Sequence, residues 1–160
     1  MTEDHATLIA TVGAAMADLQ AAYDDRDRAL AEALGVNRTD LRCLDLIVRG
    51  GPQTATELGG RLHLTRGSMT TLIDRLERAG YVQRHDDPRH GRRKLVTPTR
   101  RLFETFTPLL KPAIDNGLAR LAKYTDAELQ LILGFVQATR DGQGAVVEAI
   151  RGRGPGTVGE

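Results

Sequence analysis

Arginine and lysine side chains are concentrated in one stretch of this 160-residue chain. Residues 61–101 contain ten arginines and Lys94 but only four carboxylates, which gives this basic segment a net charge of +7. The formal net charge of the whole chain is +1, so the remainder carries −6. A basic segment inside an otherwise acidic protein is typical of a contact with a polyanion such as nucleic acid, and a solvated basic face is the alternative.

Several classes of protein are disfavoured by the same sequence. It contains no G-x-S-x-G nucleophile motif, no H-E-x-x-H zinc motif and no phosphate-binding glycine loop, so we expect neither an enzyme nor a cofactor. Aromatic residues make up 4% of the chain and tryptophan is absent, which weighs against single-strand binding by base stacking. No apolar run is long enough to cross a membrane, and the acidic N-terminus does not resemble a signal peptide.

The cysteine and histidine content points away from disulfides and metals. Cys43 is the single cysteine, so no internal disulfide forms and a cytoplasmic location is expected. We interpret Cys43 as a small buried core residue, with redox sensing as the alternative. His85, Asp86, Asp87 and His90 carry metal-ligand atoms, but no second cluster completes a coordination shell. We expect no metal, with metal sensing as the alternative.

Apolar spacing and capping residues predict the elements that precede the basic segment. Within residues 7–34, apolar positions step by four and three from Leu8 to Ala22, a heptad seam that predicts one long helix packing on another helix. Asn37 is expected to cap a second helix, with Asp40 near its positive end.

Two short helices follow across a tight connection. Thr54 and Glu57 have the spacing of a capping box at the start of one helix. Thr65 is expected to cap the next helix, which runs from Arg66 to Ala79. Two helices joined by a turn of this size predict a helix-turn-helix.

A β-hairpin is expected next, with strands at residues 81–85 and 93–97 around a polar loop. A helix restarts at Thr99, and Pro108 and Pro112 inside it predict a bend. The fold class is therefore mainly α with a small antiparallel β-hairpin. The order of helix, helix-turn-helix and hairpin is that of a winged helix-turn-helix.

The C-terminal part begins its last helix at a second capping box, Thr125–Glu128. Asp141–Gly144 either ends this helix or frays it, and the glycine-rich residues 152–160 are expected to be flexible. The predicted organisation is an N-terminal helix (1–35), a winged lobe (36–98), C-terminal helices (99–151) and a tail (152–160).

A winged helix-turn-helix places its second helix in the DNA major groove, with N-terminal residues against base edges. Gly67 lowers helix propensity there, which is explained if the DNA backbone approaches closely; a tolerated surface glycine is the alternative. The recognition-helix candidates are Arg66, Gly67, Ser68, Thr70, Thr71 and Arg75. The wing candidates, for the minor groove and for phosphates, are Arg84, Arg89, Arg92 and Arg93.

These motifs resemble the MarR family of bacterial transcription regulators. The resemblance is carried by the helix TRGSMTTLIDRLERAGYV, the wing Asp-Pro-Arg-x-Gly-Arg and the TPT that follows it, within Leu62–Thr99. The long first helix and the two C-terminal helices match the family's dimerisation region. His90 departs from the family, which often has Asp there; Asp86 and Asp87 are the candidates to replace its salt bridge.

The resemblance implies a homodimer that binds a pseudo-palindromic double-stranded DNA operator, usually as a repressor released by a ligand or oxidant. The family's wing-tip arginine maps onto Arg92. A small aromatic or amphipathic effector is implied, and its pocket candidates are Met16, Tyr23, Phe103 and Phe106. The alternative function is a winged-helix ligand-binding or protein-interaction module without specific DNA binding.

Overall fold

The computed structural model describes residues 3–152. Six helices and three short strands follow one another along this part of the chain: α1 (Glu3–Leu34), α2 (Arg38–Gly50), β1 (Gln53–Thr54), α3 (Ala55–Leu62), α4 (Arg66–Arg78), β2 (Val82–Asp86), β3 (Lys94–Pro98), α5 (Arg100–Leu121) and α6 (Asp126–Gly152). The predicted fold class is confirmed. Of the predicted tail, residues 153–160 lie outside the described residues.

The predicted helix starts have the capping hydrogen bonds that the sequence indicated. The Asn37 side chain accepts from the backbone N–H of Asp40 at 2.9 Å, and a reciprocal bond completes a capping box. Glu57 accepts from the backbone N–H of Thr54 at 2.7 Å, and this bond lowers the pKa of its carboxyl. The pKa of Glu128 is lowered in the same way by the N–H of Thr125, so these three predicted caps are confirmed.

One continuous hydrophobic core lies under the helix-turn-helix. It draws on the end of α1, on α2, α3 and α4, on the sheet, and on the start of α5. The fully buried side chains include Leu44, Ile47, Leu58, Ile73, Leu76 and Leu102. Tyr81 ties α1 to this core, because its hydroxyl donates to the carbonyl of Leu34 at 2.9 Å.

The predicted hairpin belongs to a sheet with one more strand than expected. The strand order is β1-β3-β2, and both pairings are antiparallel. Gln53 of β1 pairs with Val96 of β3, while Arg84 of β2 pairs with the same residue from the other side. β1 has two residues, too few for an alternating pattern to show in the sequence.

The chain divides at Leu110 into two compact units, and the boundary falls inside α5. α5 runs unbroken through Pro108 and Pro112; the bend expected there stays a prediction. α6 continues past Asp141–Gly144 to Gly152 and has no buried residue. The four-part organisation expected from the sequence also stays a prediction. No helix among residues 3–152 is both long and apolar enough to cross a membrane.

Candidate nucleic-acid interface

The turn between α3 and α4 is made by a residue in the left-handed region. His63 has φ 55° and ψ 40°, and the N–H of Leu64 returns to the carbonyl of Gly59 at 3.0 Å. Thr65 then caps α4 by accepting from the backbone N–H of Ser68 at 3.2 Å. These hydrogen bonds satisfy backbone groups at the end of α3 and at the start of α4 within three residues. They therefore fix the direction in which α4 leaves the turn.

The sequence of α4 separates into a buried face and an exposed face. Met69, Leu72, Ile73 and Leu76 are buried, and their spacing places them on one side of the helix. Five of the six recognition-helix candidates are exposed: Arg66, Gly67, Ser68, Thr70 and Thr71. A Cβ placed on Gly67 would meet no atom within 4 Å, so the protein's own packing gives no reason for glycine at this position.

The hydroxyl groups on the exposed face differ in their bonding. Thr70 donates to the carbonyl of Arg66 at 3.0 Å, which leaves it able to accept but not to donate outward. The Ser68 hydroxyl shares a 2.9 Å bond with that of Thr65. Thr71 has no side-chain hydrogen bond among the described residues, so it can both donate and accept.

Arg75 is not free, although the sequence placed it among the base or phosphate contacts. Its Nε and Nη2 donate to the two carboxylate oxygens of Asp40 at 2.8 and 2.6 Å. Asp40 is 1% exposed, and it also belongs to the cap of α2. This two-pronged pair ties α4 to α2, so Arg75 has a structural partner that the charge pattern of the sequence did not reveal.

The wing loop between β2 and β3 is organised by Asp87. Its carboxylate accepts from the backbone N–H of Arg89 at 2.8 Å, which lowers the pKa of that carboxyl. His90 lies 3.4 Å from the same carboxylate, and Asp86 pairs with Lys94 at 2.6 Å. Asp86 thus supplies a wing ion pair with Lys94, while Asp87 holds the loop through the N–H of Arg89 and the contact with His90.

Three of the four wing candidates extend into solvent. Arg89, Arg92 and Arg93 are exposed, and none of them forms an ion pair within the described residues. Arg84 is different, because its guanidinium contacts Asp74 at 2.6 Å and also Glu77. Two carboxylates of α4 thus already bind Arg84, and its assignment as a phosphate contact stays a prediction.

A groove of about 860 Å³ brings the two sets of candidates together. Its walls come from the start of α3, the start of α4 and the wing. They include Arg66 and Thr70 of the recognition helix and Arg92 and Arg93 of the wing. The start of α4 and the end of the wing therefore border one basic surface.

Comparisons with known proteins agree with this architecture. The model of the MarR family matches residues 34–93. The uncharacterized HTH-type transcriptional regulator YcgE of Bacillus subtilis (strain 168) is 40% identical over 114 residues, which is 71% of this chain and 74% of YcgE. The chain belongs to the MarR family. Members of this family are transcription regulators and not enzymes. Their winged helix binds DNA, so the winged lobe of this chain is a DNA-binding domain.

Solved MarR-like structures share the fold at low sequence identity. A MarR family transcription regulator, SP03579, is 20% identical, covers 92% of this chain and 97% of its own, and has a TM-score of 0.63. The transcriptional regulator Tm0710 from Thermotoga maritima is 18% identical, with coverages of 86% and 97% and a TM-score of 0.60. At these identities the likeness concerns the fold alone.

The four side chains expected to line an effector pocket differ in their exposure to solvent. Phe106 is buried in the core, Met16 is half-buried, and Tyr23 and Phe103 are exposed. None of the four lines the basic groove. Phe106 packs in the hydrophobic core, and the effector pocket itself stays a prediction.

Cys43 is sealed inside the core. Its side chain has no exposed area, and burial, with a smaller contribution from Asp40, raises the pKa of the thiol to about 12. A thiol with such a pKa is not a thiolate at neutral pH, so the core interpretation fits better than redox sensing. Within residues 3–152, no group of three or more His, Cys, Asp and Glu side chains is arranged to hold a metal ion.

Proposed function

We propose that this MarR-family protein is a homodimeric, ligand-responsive repressor that binds a pseudo-palindromic operator. The observation that carries the DNA-reading part is the single surface formed by the start of α4 and the wing. Arg66, Arg92 and Arg93 border one groove, and none of them forms an ion pair among the described residues. Arginines that form no ion pair on one surface are available to phosphates and base edges.

Base reading is assigned to the first two turns of α4. Thr71 offers both a donor and an acceptor, while Thr70 offers an acceptor only, because its proton is committed to Arg66. An acceptor selects the amino groups of adenine and cytosine, whereas Thr71 is able to contact any base edge. Gly67 leaves room for a phosphate or a base edge to approach the helix backbone.

The wing is assigned to the adjacent minor groove. Arg92 stands where the family has its wing-tip arginine, and Arg89 and Arg93 flank it on the same loop. A narrow minor groove concentrates negative potential, which favours an inserted guanidinium. The neighbouring arginines are then positioned for phosphates.

The homodimer is supported by apolar side chains that are open to solvent in the single chain. Leu8, Val12 and Leu19 of α1 and Leu118 of α5 are between 43% and 61% exposed. Exposed apolar surface of this extent marks an interface, and a two-fold interface pairs like with like. A dimer would place its two recognition helices roughly 34 Å apart, matching half-sites about 10 base pairs apart.

The effector that releases the repressor is assigned to a chemical class by the side chains that would meet it. Tyr23 and Phe103 present aromatic surface to solvent, and Met16 is partly exposed. Such side chains suit a small aromatic or amphipathic molecule. Isothermal titration with salicylate as the probe tests the aromatic part of this class, and no binding to the wild type at millimolar probe would count against a small aromatic effector.

Selection from a random duplex pool tests the reading assignment. The wild type should enrich an inverted repeat, and Thr71→Ala should relax the preference at one position of each half-site, at a cost of about 1–3 kcal/mol. The matched control is Thr107→Ala, an exposed threonine of α5, which should select the wild-type sequence. No enriched repeat for the wild type would overturn the proposed function, and an unchanged consensus for Thr71→Ala would overturn the role of Thr71.

The wing assignment has its own test. Arg92→Ala should weaken binding to the enriched duplex and lower the salt slope by about one for each phosphate that the arginine neutralises. Lys123→Ala removes an exposed positive charge between α5 and α6 and should leave both quantities unchanged. Equal small effects in an electrophoretic shift assay would show that the wing assignment is wrong.

A further inference from the structure

Charged side chains hold α4 to its neighbours on two sides. On one side Arg75 binds the buried carboxylate of Asp40, which joins α4 to α2. On the other side Asp74 and Glu77 bind Arg84, which joins α4 to β2 of the wing. The second contact lies between the two elements that the proposed function assigns to DNA reading. We call these three side chains, Asp74, Glu77 and Arg84, the wing clamp.

Within the wing clamp, Glu77 binds the backbone of Arg84 as well as its side chain. The backbone N–H of Arg84 donates to Oε1 of Glu77 at 2.9 Å, while Oε2 of the same carboxylate accepts from the guanidinium. β2 is an edge strand, since the sheet order is β1-β3-β2. Glu77 thus satisfies an N–H on the open edge that no further strand pairs with, and it ties that edge to the recognition helix.

The charges of the wing clamp argue against a phosphate contact by Arg84. One guanidinium faces two carboxylates, so the cluster carries a net negative charge at neutral pH. The Arg84 side chain is 29% exposed, much less than that of an arginine extending into solvent such as Arg49, at 78%. A phosphate approaching this cluster meets no net attraction, and two donor nitrogens of Arg84 are already bonded.

We propose that Arg84 is a positioning residue that fixes the register between the recognition helix and the wing. The proposal rests on the proposed function, in which Thr71 reads bases and Arg92 enters the minor groove. Specific binding requires both to arrive at their sites together, so a wing that moves independently of α4 loses affinity for the operator. Non-specific binding needs only phosphate contacts and does not depend on this register.

Substitution of Arg84 separates positioning from phosphate binding. Arg84→Gln should lower affinity for the enriched duplex about tenfold, the scale on which residues that couple two sites act. Its affinity for a random-sequence duplex should change by less than about threefold, and the salt slope should stay at the wild-type value, because every phosphate contact remains. Arg84→Lys keeps the charge but lacks the planar two-pronged geometry, so it should retain most of the defect.

Hydrogen exchange on the free protein tests the wing clamp without DNA. In Arg84→Gln and in Glu77→Gln, the amides of β2 and β3 should exchange faster than in the wild type, while those of α2 should not change. Arg49→Gln is the matched control, since it removes an arginine from an exposed pair with Asp45 and should leave both exchange and DNA binding unchanged. Thermal unfolding of each variant checks that the lobe remains folded.

Two results would overturn the positioning role. One is a salt slope for Arg84→Gln that falls by about one while wing exchange stays at the wild-type rate, as expected for a residue that binds a phosphate. The other is full rescue of operator affinity by Arg84→Lys. If the selection experiment enriches no sequence, the proposed function fails, but exchange and the salt slope on random duplex still decide whether Arg84 positions the wing.

Discussion

The two units of the chain bury their apolar side chains to very different extents. Every buried apolar residue in the described part of the chain lies in the unit that ends at Leu110, from Leu30 in α1 to Phe106 in α5. In the unit that begins at Lys111, α6 has no buried residue, and Leu131 is 75% exposed. α4 in the first unit and α6 in the second unit are both regular α-helices. The difference in burial therefore does not come from a difference in helix formation.

The difference in burial distinguishes the part of the molecule that one chain stabilises by itself from the part that needs a partner. The first unit satisfies its polar groups internally, since no buried side-chain nitrogen or oxygen among the described residues lacks a hydrogen bond. The second unit leaves apolar side chains of α5 and α6 in water, which a helix does not do without a partner or a cost. The winged lobe is therefore specified within one chain, whereas we propose that the remaining apolar surface is covered by a second copy.

The largest expected effect comes from a charge placed on that apolar surface. Leu118→Asp should convert the proposed dimer into a monomer, because an unpaired carboxylate buried in an apolar interface costs several kcal/mol. Sedimentation at micromolar concentration measures the state directly. Operator binding should be lost with the dimer, since two half-sites are no longer bound together.

Asn116→Asp is the matched control, as it adds the same charge two positions away on α5 and should leave the dimer intact. Leu118 is 61% exposed in the single chain, so the substitution does not disturb a core within one protomer. A wild-type protein that sediments as a monomer, or a Leu118→Asp variant that remains a dimer, would show that the exposed apolar surface of the second unit needs no second copy.

The burial of Cys43 in the core of the first unit predicts low reactivity of its thiol. At pH 8 the labelling of Cys43 by a disulfide reagent should be at least about a hundredfold slower in the folded protein than in urea, because access requires the core to open. The thiol has no exposed area, and its pKa is raised from 9.0 to about 12. Labelling at the unfolded rate under native conditions would show that this part of the core is open.

The same pKa fixes the sign of a pH effect on stability. The folded state holds the Cys43 proton more tightly than the unfolded state, so ionisation of the unfolded chain favours unfolding. The free energy of unfolding should fall as the pH rises from about 9 towards 12, and Cys43→Ala should lack this part of the dependence. Urea titrations of both proteins at pH 8 and above compare the two slopes.

Local signals in the sequence were enough to predict the capped helices. Structure that depends on contacts between residues far apart in the sequence could not be predicted from those signals. The caps at Asn37, Thr54 and Thr125 are confirmed because each depends on residues three positions apart. β1 was missed because its two residues acquire their strand geometry only by pairing with β3. A strand that short has no periodicity of its own.

The site residues divide in the same way. The exposed face of α4 follows from helical spacing, so Thr71 was placed correctly on the outside. The partner of Arg75 is Asp40, 35 positions earlier, and Arg84 meets carboxylates 7 and 10 positions earlier across a turn. Nothing in the charge pattern distinguishes an arginine held by such a pair from one that is free for DNA.

The smallest expected effect concerns Gly67, on the exposed face of α4. Gly67→Ala should stabilise the protein by roughly 0.5–1 kcal/mol, because alanine has the higher helix propensity and a new Cβ meets no atom within 4 Å. Urea unfolding measures this gain. Gly142→Ala in α6, where a Cβ likewise meets no neighbour, should give a gain of similar size.

The two glycines should differ once DNA is added. A methyl group at position 67 occupies the space through which we propose the DNA approaches α4, so Gly67→Ala should weaken operator binding while it raises stability. Gly142→Ala should raise stability with no change in binding. Opposite signs for stability and affinity at position 67 alone would show that this glycine serves the DNA interface. Unchanged affinity for Gly67→Ala would instead identify it as a tolerated surface residue and move the closest DNA approach to another part of the recognition helix.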